Sequence, residues 1–409
     1  MIKLLTLHNI NIVIIGTGYV GLVTGVGLAS LANKVTFIDL DEDKIANLNN
    51  KKLTFYEPGL DKYFEDDETF KNMEFVSSYS DIDWKDKEIV FICVQTPNNV
   101  ETNSVDTKFL ESAITEVSSV ENENLVITIK STIPPYEIEK ICNQVGLDMD
   151  SLTFNPEFLR EGTAVEDFFK PDRIVIGGND SSKVQKLKDL YSNFEAEIII
   201  TDPISSQLIK YLANTYLPLR LSFVNEAARL VNSSGGNLDD VLKGVGMDSR
   251  IGQHYFRPSP AWGGSCFPKD VVEVNNFYDS EEVNLPLIAN IIESNKIQTQ
   301  WTAKMLKSIH NEKKLSGIIL VGAAFKEDTD DLRNSPTIDI YNKLKAENMN
   351  TMIYDDLIKS EEYLSIEDFE KLEGAHLIAL MYPVKEDLMS KINSIVSNTN
   401  SFLYTPWQL

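Results

Sequence analysis

The sequence predicts an α/β protein in which two doubly wound parallel-sheet domains are joined by a long central helix and a helical middle domain. Three observations carry that prediction. Short runs of β-branched and aliphatic residues, the pattern of parallel strands buried on both faces, recur through residues 11–201 and again through 317–381, with room for crossover helices between them. From 204 to about 231 there is no Gly and one Pro, and apolar residues recur at three and four. The length, 409 residues, exceeds what one compact domain usually holds.

Taken in order, residues 11–15 (NIVII) read as a buried strand, and Gly16-Thr-Gly-Tyr-Val-Gly21 follows at once. Residues 22–31 read as a helix and 34–39 as the next strand, which completes a βαβ unit. Further strands are expected at 89–94, 125–130, 173–177 and 197–201. After Asp202-Pro203 comes the long helix, ended by Ser233-Ser-Gly-Gly236, and helical patterns fill 237–310. Strand runs return at 317–322, 350–355 and 376–381. The expected domains are therefore 1–202, 203–312 and 313–409.

Hydrophobic residues make up 43% and charged residues 24%, ordinary globular usage, and no run approaches the roughly 18 uninterrupted apolar residues of a membrane span. Disordered, collagenous and transmembrane classes are excluded. The opening residues, MIKLLTLHNINIVIIG, run straight into the glycine turn without a small-residue cleavage site, so no secretory signal is expected and the cytoplasm is the expected compartment. Three cysteines, Cys93, Cys142 and Cys266, argue against a disulfide framework. With 38 basic against 62 acidic residues the net charge is −24, which disfavours nucleic acid and anionic membrane as partners. Acidic runs such as 65–68 read as solvated surface.

Gly16, Gly18 and Gly21 have the GxGxxG spacing between a strand and a helix, around Tyr19 and Val20, and Asp39 ends the following strand. Glycines let a pyrophosphate approach a helix N-terminus closely, and the acid holds ribose hydroxyls. An acid at 39 favours NAD over NADP, since a 2′-phosphate would meet like charge; Lys44 nearby softens that preference. Residues 155–162 (NPEFLREG) read as a helix start, with Asn155 as N-cap and Glu157 and Glu161 one turn apart on one face. On the long helix Lys210 and Asn214 share a side at i, i+4. In Trp262-Gly-Gly-Ser-Cys-Phe-Pro-Lys-Asp270, Pro268 suits a first helical turn, so Cys266 falls at that helix's N-terminus with Lys269 close by. Both features lower a thiol's pKa, and the two glycines would leave room for a ligand. Cys266 is the nucleophile candidate, whereas Cys93, in its strand, and Cys142 read as buried and inert. No metal site is expected.

These segments together resemble the UDP-glucose 6-dehydrogenase family of nucleotide-sugar dehydrogenases. The resemblance is carried by GTGYVGL at 16–22, KSTIP at 130–134, NPEFLREG at 155–162, PDRIVIG at 171–177, KYLANTYLPLR at 210–220, DSRIGQHY at 248–255, GGSCFPKD at 263–270 and FKEDTDDLRNSP at 325–336. It implies an N-terminal Rossmann domain for NAD, a C-terminal Rossmann-like domain for a UDP-sugar, and a central helix that builds a homodimer. The implied activity is a four-electron oxidation of UDP-glucose to UDP-glucuronate with two NAD reduced, through a cysteine thiohemiacetal and thioester.

On that resemblance Cys266 is the nucleophile, Lys210 and Asn214 stabilise oxyanions, and Asp270 orients Lys210 or a water. Glu161 and Thr132 position water and serve acid/base steps, and Glu157 supports them. Cofactor contacts fall to Gly16, Gly18, Tyr19, Val20, Gly21, Asp39, Lys44, Thr96, Thr132, Glu161 and Arg333. Substrate contacts fall to Phe158, Leu159, Lys210, Asn214, Arg250, Tyr255, Gly263, Lys269 and Lys326, with Arg250 reaching across from the partner subunit. The chain departs from the family pattern at Pro135-Tyr-Glu137, which would change a loop near the cofactor, at 95–99, at Trp262, which would reshape the sugar pocket, and in an extension before Asn11. Dehydrogenases of a UDP-N-acetylhexosamine or GDP-mannose share the fold and the cysteine; a two-electron hydroxyacid dehydrogenase would need no thiol, and a nucleotide-sugar sensor would release no NADH.

Overall fold

The structure, a computed structural model, describes residues 9–99, 104–280 and 283–406. The expectations for the first eight residues lie outside that range. The chain divides after Leu212 into two compact units.

The first unit holds strands β1 (Asn11–Ile15), β2 (Lys34–Ile38), β3 (Met73–Val76), β4 (Ile89–Ile92), β5 (Asn98–Asn99), β6 (Ser104–Val105), β7 (Val126–Ile129), β8 (Leu152–Phe154), β9 (Arg173–Gly177) and β10 (Glu197–Thr201). Eight of them form one sheet in the order β10-β9-β8-β7-β4-β1-β2-β3, and β5 and β6 make a small antiparallel ribbon. Side chains alternate across a strand, so β1 sends Ile12 and Ile14 into one core with Leu22 and Phe37, and Val13 and Ile15 into another with Val90 and Leu110. Both faces are covered, which is why these strands read as unbroken apolar runs.

Two features of the first sheet differ from the expectation. Strand β8 has only three residues, and β3 is broken as an apolar run by the outward-pointing Glu74, so neither stands out in the sequence. The sheet is also not parallel throughout: β9 pairs antiparallel with β8, while β10 runs parallel with β9. The link from β8 to β9 contains only a six-residue helix, Ala164–Phe169, after an irregular stretch. It does not carry the chain back along the sheet as a crossover helix does, so the chain re-enters at the end it left.

The long helix runs Pro203–Ser234, through Pro218, and leads into the second unit. There helices Leu238–Gly246, Phe267–Ser280 and Pro286–Lys313 precede a four-stranded sheet. The expected helical filling of 237–310 is interrupted: 247–266 is turn and irregular backbone, as Gly252, Pro258, Pro260, Gly263 and Gly264 dictate. Strands β11 (Ile318–Val321), β12 (Thr351–Tyr354), β13 (Leu377–Leu380) and β14 (Phe402–Tyr404) are parallel in the order β12-β11-β13-β14. This second Rossmann-like sheet is again covered on both faces. No helix among the described residues is long and apolar enough to cross a membrane.

Candidate active site

In the first sheet the chain turns away from β1 in opposite directions toward β2 and β4, and the glycine loop lies at the C-terminal end of β1. Such a switch point opens the crevice in which α/β sheets bind ligands. The three glycines there have different jobs. Gly16 has φ +93° and lies against the carbonyl of Cys93, and a side chain on Gly21 would overlap the carbonyl oxygen of Gly16. Gly18 faces open space and sits at the N-cap of helix Tyr19–Ser30 without a side-chain cap, so the first-turn N–H groups are presented to an anion.

Asp39 stands just past β2. Its Oδ2 accepts from the Thr17 N–H at 2.9 Å, the Thr17 hydroxyl at 2.8 Å and Lys44 Nζ at 3.0 Å. Burial pushes this carboxyl up, but those bonds and one from the Asp41 N–H outweigh it and hold the group below the usual carboxylate range. The residues fit a dinucleotide: an open glycine at a helix start and an oriented, ionised acid at the ribose position. Gly18→Ala is expected to keep the parent melting temperature while weakening NAD binding by about tenfold. Gly21→Ala should lower both, because its methyl group has only backbone to displace. Equal melting temperatures for the two variants, with NAD titrated by fluorescence alongside, would contradict this division of roles.

Cys93 follows β4 rather than lying in it, beneath the glycine loop, and burial pushes its thiol up to about 12. Cys142 is likewise buried and pushed up to about 11. Both thiols are buried, as expected, and burial favours their protonated form. Thr96 and Thr132 meet: the Thr96 hydroxyl donates to the Thr132 carbonyl at 2.8 Å, which ties the loops after β4 and β7 together. Pro135-Tyr-Glu137 does not reshape a loop, because Pro135 opens helix Pro135–Val145 in its first turn.

The acid segment is corrected by the structure. Residues 155–160 are irregular and the helix begins only at Ala164, so Glu157 and Glu161 do not share a helical face. Asn155 is not a cap, because its side chain is spent elsewhere. Its Nδ2 donates to the Val175 carbonyl at 2.8 Å, and its Oδ1 accepts from Lys130 Nζ at 3.0 Å and the Tyr191 hydroxyl at 2.8 Å. Glu157 is buried, accepting from the Leu159 N–H at 2.6 Å and from Lys210 Nζ at 2.7 Å. Lys210, only 4% exposed, is thus unlike an ordinary helix-surface lysine. The Arg173 guanidinium lies 3.7 Å from the centre of the Phe158 ring, and Lys210 Nζ 5.4 Å from it. Burial lowers the pKa of both Lys130 and Arg173. Leu159 and Glu161 are half-buried, and Tyr19 and Val20 pack at the edge of the core.

In the second unit Cys266 is exposed and immediately precedes helix Phe267–Ser280, its carbonyl accepting from the Asp270 N–H at 2.9 Å. Its placement at a helix N-terminus is as expected. Asp270, 1% exposed, accepts from Asn214 Nδ2 at 2.7 Å and from Lys269 Nζ at 2.6 Å. The open space expected beside Gly263 and Gly264 is absent. A side chain on Gly263 would overlap the Asn334 carbonyl, Gly264 faces the Phe325 ring, and Asn334 Nδ2 donates to the Gly264 carbonyl at 3.0 Å. The glycines admit the 325–336 segment, which carries Lys326 and Arg333 and is thereby docked on the cysteine loop; Arg333 forks onto Asp331.

Arg250 is exposed and paired with Asp248, and Tyr255 is exposed with φ +55°. Trp262 is a packed core residue: its ring is buried with Val271 and Ile291, and its Nε1 donates to Ser222 at 2.9 Å. Lys130 and Glu57 were not singled out from sequence, because their partners lie 25 and more than 100 residues away.

Three segments match domains of one family: residues 10–195 the NAD binding domain, 204–297 the central domain and 319–400 the UDP binding domain. The UDP-glucose 6-dehydrogenase of Rickettsia felis is 37% identical over 381 residues, covering 90% of this chain and 82% of that protein. The UDP-glucose 6-dehydrogenase of Rickettsia prowazekii is 35% identical over 409 residues, covering 97% and 91%. The structure of a UDP-glucose dehydrogenase from the hyperthermophilic archaeon Pyrobaculum islandicum superposes with a TM-score of 0.80 at 28% identity, covering 92% of this chain and 90% of that one. The chain belongs to the UDP-glucose/GDP-mannose dehydrogenase family, and its glycine loop and Asp39 are part of that family's NAD-binding domain.

Proposed function

We propose that the protein oxidises UDP-glucose to UDP-glucuronate in two successive NAD-dependent steps, with Cys266 as the covalent nucleophile. The observation that carries this reading is an exposed cysteine at a helix N-terminus beside the buried Asn214–Asp270 pair, which Lys269 joins. NAD, when bound, supplies the hydride acceptor for each oxidation. The Cys266 thiolate adds to the C6 aldehyde to give a thiohemiacetal; loss of hydride from that carbon leaves a thioester, and water releases the carboxylate and the thiol. Asn214 gives one amide N–H to Asp270 and retains a second for an oxyanion, and the Lys210 ammonium serves the same purpose. Glu161 and Thr132 hold the water and move its proton, Asp270 holds Asn214, and Glu157 holds Lys210.

Residues 1–202, 203–312 and 313–409 are the corresponding cofactor, helical and UDP-sugar domains, and the enzyme acts in the cytoplasm as a homodimer. Tyr216, Phe223 and Leu230 support the dimer: all three are exposed, and they recur every seven residues along the long helix, as a seam between helices does. A monomer mass by light scattering would remove that part of the reading.

The test is NADH released per sugar consumed, with limiting UDP-glucose set beside UDP-N-acetylglucosamine, UDP-N-acetylmannosamine and GDP-mannose. Two NADH per UDP-glucose and little from the others is the expected result. One per sugar would place the enzyme among two-electron dehydrogenases, and two from another sugar would reassign the substrate.

A further inference from the structure

Glu57 lies in an irregular stretch just before helix Leu60–Phe64, yet it is only 3% exposed. Both of its carboxylate oxygens hold backbone of the acid segment. Oε2 accepts from the Gly162 N–H and Oε1 from the Ala164 N–H, each at 2.7 Å. The Gly162 amide directly follows Glu161 and the Ala164 amide comes two residues later, with the backbone turning at Gly162, φ +84°. A buried carboxylate on two N–H donors is a strong, directional clamp. The same stretch touches the cofactor loop, since the Phe55 ring packs on Tyr19 with centroids 5.6 Å apart. Burial pushes the Tyr19 hydroxyl upward, and the charges of Glu57, Glu161 and Glu157 add to it, so these groups share one small region.

We propose that Glu57 is a positioning residue that sets where Glu161 sits relative to the glycine loop. The proposal rests on the role given to Glu161 above. Glu57 touches no reacting atom; it acts by fixing the turn that presents Glu161. A glutamine there keeps one acceptor but aims its amide N–H groups at a backbone N–H, so two donors face each other and the turn must shift. An aspartate keeps both acceptors but is one methylene shorter.

The experiment is a double-mutant cycle in the full-length protein, reading kcat with UDP-glucose and, separately, NAD affinity by fluorescence titration. Glu57→Gln is expected to lower kcat by about 100-fold, the scale on which misplacement of a catalytic group by an ångström acts, with NAD affinity within about threefold of the parent. Combined with Glu161→Gln, it should cost no more than about a further threefold, because a group already lost cannot be misplaced. Multiplying effects, an unchanged kcat, or NAD affinity falling by the same factor as kcat would overturn the proposal, the last being the signature of general structural loss. Should Glu57→Gln fail to fold, Glu57→Asp carries the cycle with an expected fall of about tenfold, and parent kcat in that variant overturns the proposal equally. If Glu161→Gln itself retains kcat, the role given to Glu161 falls and this inference with it. If Glu161→Gln is impaired and Glu57→Gln is not, only the inference falls.

Discussion

Cys266→Ser is expected to stop formation of the acid, lowering steady-state kcat by about 10³-fold or more, while nucleotide-sugar binding persists. The serine hydroxyl has the size but not the nucleophilicity of a thiolate, and no covalent adduct then holds C6 for the second oxidation. Folding should be little affected. Cys266 is exposed, and the first helical turn is closed by the Asp270 N–H donating to the Cys266 backbone carbonyl, which serine retains. Glucuronate quantified by chromatography, beside UDP-glucose affinity by calorimetry, checks both halves. Unchanged glucuronate formation would end the thioester scheme, and lost sugar binding with lost activity would make Cys266 a structural residue.

Lys210→Ala carries the second large effect, and it falls on stability as well as rate. Lys210 and Glu157 form an ion pair at 2.7 Å with side chains 5% and 7% exposed, so removing the amine strands a buried carboxylate. Breaking such a pair from one side costs about 3–5 kcal/mol, whereas replacing both partners with uncharged groups of similar volume is far milder. Lys130 does not take over, because its Nζ is held 3.0 Å from the Asn155 side chain. Urea unfolding of Lys210→Ala, of Glu157→Gln and of a Lys210→Met/Glu157→Gln double variant measures this directly. The double variant should regain most of the lost stability and none of the lost turnover. A loss below about 1 kcal/mol in Lys210→Ala would mean that water or another cation reaches Glu157.

How far each feature was readable depends on the range of the interactions behind it. Most strands of both sheets, the long helix, the glycine loop and the helix start after Cys266 are governed by neighbours a few residues apart, and local patterns announce them, whereas the short or alternating strands β3, β8 and β14 give no such run. The misread helix at 155–162 shows the limit of that logic. Asn followed by Pro has the local chemistry of a helix start, but the Asn155 side chain is taken up by Lys130, Val175 and Tyr191, from 20 to 36 residues away, and Glu157 is drawn to Lys210, 53 residues on. Gly263 and Gly264 are a second case: glycine reads equally as space for a ligand or space for a chain, and here the 325–336 segment occupies it.

Fold class, cofactor type and the place of Cys266 at a helix start were therefore settled by the order of residues along the chain, since hydrophobic periodicity, glycine spacing and helix-start chemistry are all local. Tertiary structure alone settled which charges are buried and what they touch. By local pattern Lys210 was indistinguishable from a solvated helix lysine, Glu57 from a turn acid, and Asp270 from a first-turn acid, until folding brought each against its partner. The reason is energetic: in a buried site a polar group must be matched by one brought from elsewhere in the chain, and no local pattern encodes that match.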